Sequence, residues 1–233
     1  MSIFFIFILG LFLGSFLNVL IDRLPRNERI TGRSYCENCK KTLSAKDLIP
    51  VLSFVYLRGK CRYCHTPFSY QYPLIELITG ALFVLIYILV SGGIFNFQFS
   101  IFNEFINHES LIINLFYYLF IVSIMIVIFF ADLKYGIIPD KILIAGVIVS
   151  SIFLFINNQQ LIINNLLSAF GAFAFMLFIY VVTKGKGMGF GDVKFSFLIG
   201  LILGFPGVFY SIYLTFLTGG ALAIILILWK KKK

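Results

Sequence analysis

Leu111–Phe130 reads LIINLFYYLFIVSIMIVIFF, twenty residues without a charged side chain. About 20 helical residues cross a hydrocarbon core, and no period of two or single apolar stripe interrupts the run. A buried core helix can imitate one such run, but this chain repeats it. Ile3–Ile21, Leu74–Val90, Ile142–Ile156, Leu161–Val182, Val193–Leu203 and Val208–Trp229 are also apolar. The composition agrees, with 60% hydrophobic and 12% charged residues where a soluble domain carries about a quarter charged. Hydrocarbon leaves no water for stray backbone groups, so the spans must be helices. The expected fold is an all-α polytopic membrane protein of about seven transmembrane helices. Val193–Leu203 is short for a crossing and is expected to borrow length from the glycine-rich residues before it.

The net charge of +9 does not point to nucleic acid. Ten of the 19 Lys and Arg fall between Asp22 and Pro73, and four form the tail Lys230–Lys233. Basic residues flanking apolar spans set orientation and meet anionic lipid. Threading the spans back and forth puts every Lys and Arg on one side, including Lys134, Lys141, Lys184, Lys186 and Lys194. The other side receives Glu104, His108, Glu109 and the Asn157–Gln160 turn. The expectation is therefore an N-terminus outside and a C-terminus in the cytoplasm. No basic residues precede the first span and no small-residue cleavage pattern follows it, so it is not read as a signal peptide. Two parts are expected: residues 1–73, a span with a basic cytoplasmic loop, and 74–233, a membrane-embedded domain.

All four cysteines lie in that loop, as Cys36-Glu37-Asn38-Cys39 and Cys61-Arg62-Tyr63-Cys64. Two CxxC pairs separated by 21 residues come close to zinc-ribbon spacing, and zinc takes four soft ligands in a tetrahedron. The alternatives are two disulfides or four unrelated thiols, but disulfides rarely persist in cytoplasm. Cys36, Cys39, Cys61 and Cys64 are thus the expected ligands of a structural zinc ion. Four protein ligands leave no open position for catalysis. His65 is expected at the surface. A loop of about 50 residues has little core of its own, so the metal would supply folding energy.

Ionisable residues within or beside a span are costly and draw a functional reading. Asp132 ends the Leu111–Phe130 span, and Asp192 closes Gly187-Met188-Gly189-Phe190-Gly191. Charge-derived topology puts both at one membrane face. Two carboxylates that meet can share a proton, one acting as base on water and the other polarising a carbonyl. The competing reading pairs Asp132 with Lys134, and Asp192 with Lys194 or Lys186. Asp140 follows Pro139 and is expected only to open a helix. Glu76 starts the second span and is open to either reading. The glycine run matches neither GxGxxG nor GxxxxGK[ST], so no phosphate cradle is expected. Gly10, Gly14, Asn18 and Asp22 recur every four residues on the first span. That spacing favours close helix packing, with Asn18 bonding a neighbouring span.

Together these segments resemble the type IV prepilin peptidase family. Gly14–Pro25 looks like its N-terminal signature; the paired CxxC loop follows, then Tyr72–Glu76, then Asp132 with Ile138-Pro139-Asp140. Gly189-Phe190-Gly191-Asp192-Val193-Lys194 looks like its GxGD motif. The resemblance implies an aspartate protease of the bacterial cytoplasmic (inner) membrane that removes the basic leader of prepilins and pilin-like precursors, with Asp132 and Asp192 catalytic. It also implies N-methylation of the new N-terminus from S-adenosylmethionine, though no local motif marks a donor pocket. It further implies eight spans where seven are counted here. The other class of function to weigh is an ion- or proton-coupled transporter, for which the acids would lie deep within the spans.

Overall fold

The structure is a computed structural model that describes residues 2–91, 111–157 and 159–230. The expectations for Glu104, His108, Glu109, Asn158 and the terminal Lys231–Lys233 lie outside these residues. Helices dominate: α1 Ile3–Arg23, α2 Leu52–Tyr56, α3 Gln71–Ser91, α4 Leu111–Tyr135, α5 Asp140–Asn157, α6 Gln159–Val182 and α7 Phe190–Lys230. A short 3₁₀ turn, Ala45–Leu48, precedes α2. No strand forms among the described residues beyond two isolated bridges. Among the described residues five stretches are long and apolar enough to cross a membrane: Ile3–Arg23, Gln71–Ser91, Ile112–Tyr135, Ile162–Val182 and Phe190–Ala221. Large apolar side chains such as Phe4, Phe116, Phe155 and Phe178 face outward, as lipid-facing residues do.

The expected spans Val193–Leu203 and Val208–Trp229 form one 41-residue element, α7, which begins at Phe190 and so takes in part of the glycine run. It is not a continuous helix. Gly204 adopts φ 61° and ψ −175°, and Phe205 is extended. Non-helical backbone at membrane depth must find partners elsewhere. Asn164 Nδ2 donates to the Phe205 carbonyl at 3.2 Å, and Asn165 Nδ2 to the Leu201 carbonyl at 2.8 Å. The polar pair on α6 therefore exists to satisfy the break in α7.

The chain forms two compact units, Met1–Ile142 and Leu143–Lys233. In the first, the four-residue stripe of α1 lies along α3. A Cβ on Gly10 would stand 2.7 Å from Gly80 Cα, and one on Gly14 2.7 Å from Glu76 Cα. Only glycine permits that approach, which substitutes for the hydrophobic driving force that lipid cannot give. Further along, Asn18 Nδ2 donates to the Tyr72 carbonyl at 3.1 Å, and the Tyr72 hydroxyl donates to Asp22 at 2.8 Å. Helix α4 closes the group through Leu17, Ile21, Ile75, Ile126 and Val127, and through Ile6, Phe83, Leu115 and Leu119. In the second unit α6 packs on α7, where a Cβ on Gly200 would stand 2.6 Å from Ala169 Cα. Leu154, Ala169 and Leu201 are buried there.

Candidate metal centre, carboxylates and cavity

The two CxxC segments fold alike. The Cys36 N–H donates to the Lys41 carbonyl and the Lys40 N–H to the Cys36 carbonyl. Likewise the Cys61 N–H donates to the Thr66 carbonyl and the His65 N–H to the Cys61 carbonyl. Lys40 and His65 both adopt positive φ, 56° and 55°, and bridges Tyr35–Thr42 and Lys60–Pro67 close the two turns. Each turn thereby aims two sulfurs inward. The four ligand atoms lie within 4.8 Å of one another, with Cys36 Sγ 3.7 Å from Cys64 Sγ. A tetrahedron with metal–sulfur bonds of about 2.3 Å has edges of about 3.8 Å. All four cysteines are free of disulfides, so this cluster fits one metal ion. Hydrogen bonds from the Thr66 hydroxyl and backbone pull the Cys64 thiol down, while the Cys39 thiol beside it is pushed up, so without a metal the negative charge concentrates on Cys64. His65 is exposed, as expected.

Arg23 ties this loop to the membrane helix. Its guanidinium donates to the carbonyls of Arg29, Ile30 and Arg33 at 3.1, 3.2 and 3.3 Å, and the residue is buried. The 3₁₀ turn is fixed by Asp47. Burial opposes its charge, but the Ser44 hydroxyl and N–H, together with Arg62, hold its carboxyl below the usual range.

Between the loop and the ends of α1, α3 and α4 lies a cavity of about 630 Å³. Asn18, Asp22, Glu76, Phe54 and Phe68 contribute to its walls. Asp22 Oδ1 accepts from Lys134 Nζ at 2.6 Å and from the Tyr135 hydroxyl at 3.3 Å. Glu76 is buried and its Oε2 accepts the Val51 N–H at 2.7 Å. Asn18 Oδ1 is buried with no hydrogen-bond partner. The cavity was not legible beforehand, because its walls come from segments as far apart as Ser15 and Lys134.

Asp132 occupies the last turn of α4 in the first unit, with an exposed side chain. The pairing with Lys134 is not made, since Lys134 is committed to Asp22. No hydrogen bond or ion pair engages the Asp132 carboxylate among the described residues. Asp192 belongs to the second unit, in the first turn of α7 and half-buried. The Gly189 N–H donates to its Oδ2 at 3.2 Å and its own N–H returns to the Gly189 carbonyl at 3.2 Å. The glycine motif is thus a helix-start turn closed by its aspartate. Gly185, at φ 70°, lies against the Tyr180 ring, which in turn packs on Phe190. Asp140 opens α5 as expected.

Comparison with known proteins adds two domain matches. A model described as Bacterial Peptidase A24 N-terminal domain matches residues 8–90, and one described as Type IV leader peptidase family matches residues 119–224. Three relatives are each called Prepilin leader peptidase/N-methyltransferase. That of Bacillus subtilis strain 168 is 33% identical over 93% of this chain and 81% of its own length. That of Myxococcus xanthus strain DK1622 is 30% identical over 96% of this chain and 63% of its own. That of Aeromonas hydrophila is 26% identical over 96% and 80%. No solved structure matches.

Proposed function

Because this chain belongs to the type IV leader peptidase family, we propose that it cleaves the basic leader from prepilins or pilin-like precursors, and then methylates the new N-terminus. Asp132 and Asp192 are the catalytic pair in this reading. The Gly189 N–H and the position of Asp192 in the first turn of α7 favour its negative charge, which suits it to the base role. It takes a proton from water as the water oxygen attacks the scissile carbonyl carbon. Asp132, protonated, donates to the carbonyl oxygen. As the tetrahedral intermediate collapses, a hydroxyl proton returns to Asp132, the carbon–nitrogen bond breaks, and the departing amine takes the proton held by Asp192. The observation that carries the reading is Asp132 itself. A carboxylate at the end of an apolar helix, with its neighbouring lysine engaged elsewhere, has no structural partner to explain it.

The four cysteines hold zinc in this reading, as a structural ion with no open position. S-Adenosylmethionine is the methyl donor. The functional division falls near residue 73, with the span and metal loop before it, together with the start of the next helix, serving methyl transfer and the remainder peptide cleavage. The protein lies in the bacterial cytoplasmic membrane with its N-terminus outside and C-terminus in the cytoplasm, where the basic leader is presented. The transporter reading is not favoured, since the carboxylates sit at helix ends and the chain matches a peptidase family along most of its length.

The test is Asp132→Asn and Asp192→Asn, assayed by mass measurement of a pilin-like precursor incubated with purified protein. Each should abolish cleavage while expression and metal content stay unchanged, and the double variant should be no worse than either. Asp140→Asn should retain substantial activity. Turnover near the parent level by well-folded Asp132→Asn would sink the pair.

A further inference from the structure

The relatives' name joins two activities, and the peptidase model accounts for residues 119–224. The N-terminal model, residues 8–90, holds nearly the whole wall of the cavity. At about 630 Å³ it is of a size that takes a cofactor. Its polar groups do not complete one another. Asn18 is 5% exposed, and its Oδ1 faces no donor. Such an orphan acceptor is costly unless something fills its place.

The charges tell more. Asp22 is neutralised by Lys134 and Glu37 by Arg26, while Asp47 is paired with Arg62; Glu28 accepts from the Tyr35 hydroxyl, and Arg23 is engaged by three backbone carbonyls. Glu76 is 7% exposed and no salt bridge among the described residues reaches it. A buried carboxylate held by an N–H but lacking a cation is a seat for one. Phe54 and Phe68 supply apolar wall close by.

We propose that this cavity binds the methyl donor of the N-methylation described above, a nucleoside sulfonium. Glu76 faces its positive end, Asn18 Oδ1 accepts from an N–H or O–H of the ligand, and Phe54 and Phe68 flank the purine. When bound, the donor supplies an electrophilic methyl group on a positively charged sulfur. Transfer leaves a neutral thioether, so the interaction with Glu76 weakens once the methyl group has gone. Charge at this position therefore separates donor from spent product.

The inference rests on the methyltransferase reading, and binding without turnover separates the two. Full-length protein in nanodiscs is dialysed against radiolabelled S-adenosylmethionine and, separately, S-adenosylhomocysteine. Glu76→Gln keeps an oxygen for the Val51 N–H while removing the charge. It should weaken the methyl donor at least about tenfold and the thioether less than about threefold. Equal losses for both ligands would remove the charge argument. Hydrogen exchange on the unaltered protein gives a second arm that no folding defect can confuse. S-Adenosylhomocysteine should protect residues 47–57 and 66–76. Tight binding with protection elsewhere would overturn the site and leave methyl transfer intact, whereas no binding by the unaltered protein would overturn both.

Discussion

Replacing Arg23 by Met would test how the metal loop is held to the membrane helix. The stem is kept and three hydrogen bonds are lost, to the carbonyls of Arg29, Ile30 and Arg33 at 3.1–3.3 Å. Charge-assisted bonds of this kind contribute about 1.5 kcal/mol each at the lower end of their range, and these are on the long side. The cost of burying the cation offsets part of the sum. A net local loss of about 2–4 kcal/mol remains, which is about 30-fold to several hundredfold in opening. Native-state hydrogen exchange reads it directly. The Glu28 N–H, bonded to the Arg23 carbonyl, and the Leu43 N–H, bonded to the Ser34 carbonyl, should exchange faster by that factor. The core of α4 should not change. Arg26 is the matched control, because its 2.7 Å pair with Glu37 is 38% and 59% exposed. Such surface pairs contribute at most about 1 kcal/mol, so Arg26→Met should accelerate the same amides less than about fivefold. If Arg23→Met also stays below fivefold, Arg23 is an ordinary flanking charge and the anchoring argument fails.

Two further expectations concern the loop and the topology. Cys36→Ser with Cys61→Ser should reduce bound metal from one ion per chain to none by elemental analysis and open residues 34–67 to protease; full metal retention would exclude the four-sulfur centre. Cysteine labelling in intact cells should modify position 158 from outside and position 29 only after permeabilisation, and the reverse pattern would invert the orientation.

Much of this molecule could be read from its sequence, and for physical reasons. Membrane helices announce themselves by length and apolarity alone, so each expected span coincides with helix. The stripe Gly10, Gly14, Asn18 and Asp22 was legible because contact with one neighbour needs one face, and a helix repeats its face about every fourth residue. Each member does meet α3, through Gly80, Glu76 and Tyr72. The two CxxC turns were legible because a metal site is written in ligand spacing. What stayed hidden depends on long-range pairing. Lys134 is the nearest cation to Asp132 in sequence, yet residues two apart on a helix face different ways. It reaches Asp22 instead. Arg23 looked like one flanking charge among several, and only the fold distinguishes it from Arg26. How the break at Gly204 and Phe205 is satisfied within α7 was equally hidden, because the compensating donors Asn164 and Asn165 sit on another helix.

The same helix end bears on the order of the two proposed reactions. Asp132 and Lys134 share the last turn of α4. Lys134 lines the cavity, whereas Asp132 is exposed and forms no part of its wall. Two residues along a helix amount to about 200° of rotation, so the two groups lie on opposite sides of a cylinder about 10 Å across. One peptide bond cannot meet Asp132 and the cavity at once. In the proposed scheme the new amine must leave Asp132 and travel around the helix end before methylation. Cleaved but unmethylated product is therefore an obligatory species, and its lifetime should lengthen when donor is limiting. In a rapid-quench time course with limiting donor, mass spectrometry should show that species rise first and then decline as the methylated form grows. A chase with excess unlabelled cleaved product should dilute methylation of the remainder if the product dissociates during the move, and leave it unchanged if the product stays bound. Methylated product appearing without a lag, with no unmethylated form at any donor concentration, would mean that both reactions share a single station and that this geometry does not separate them.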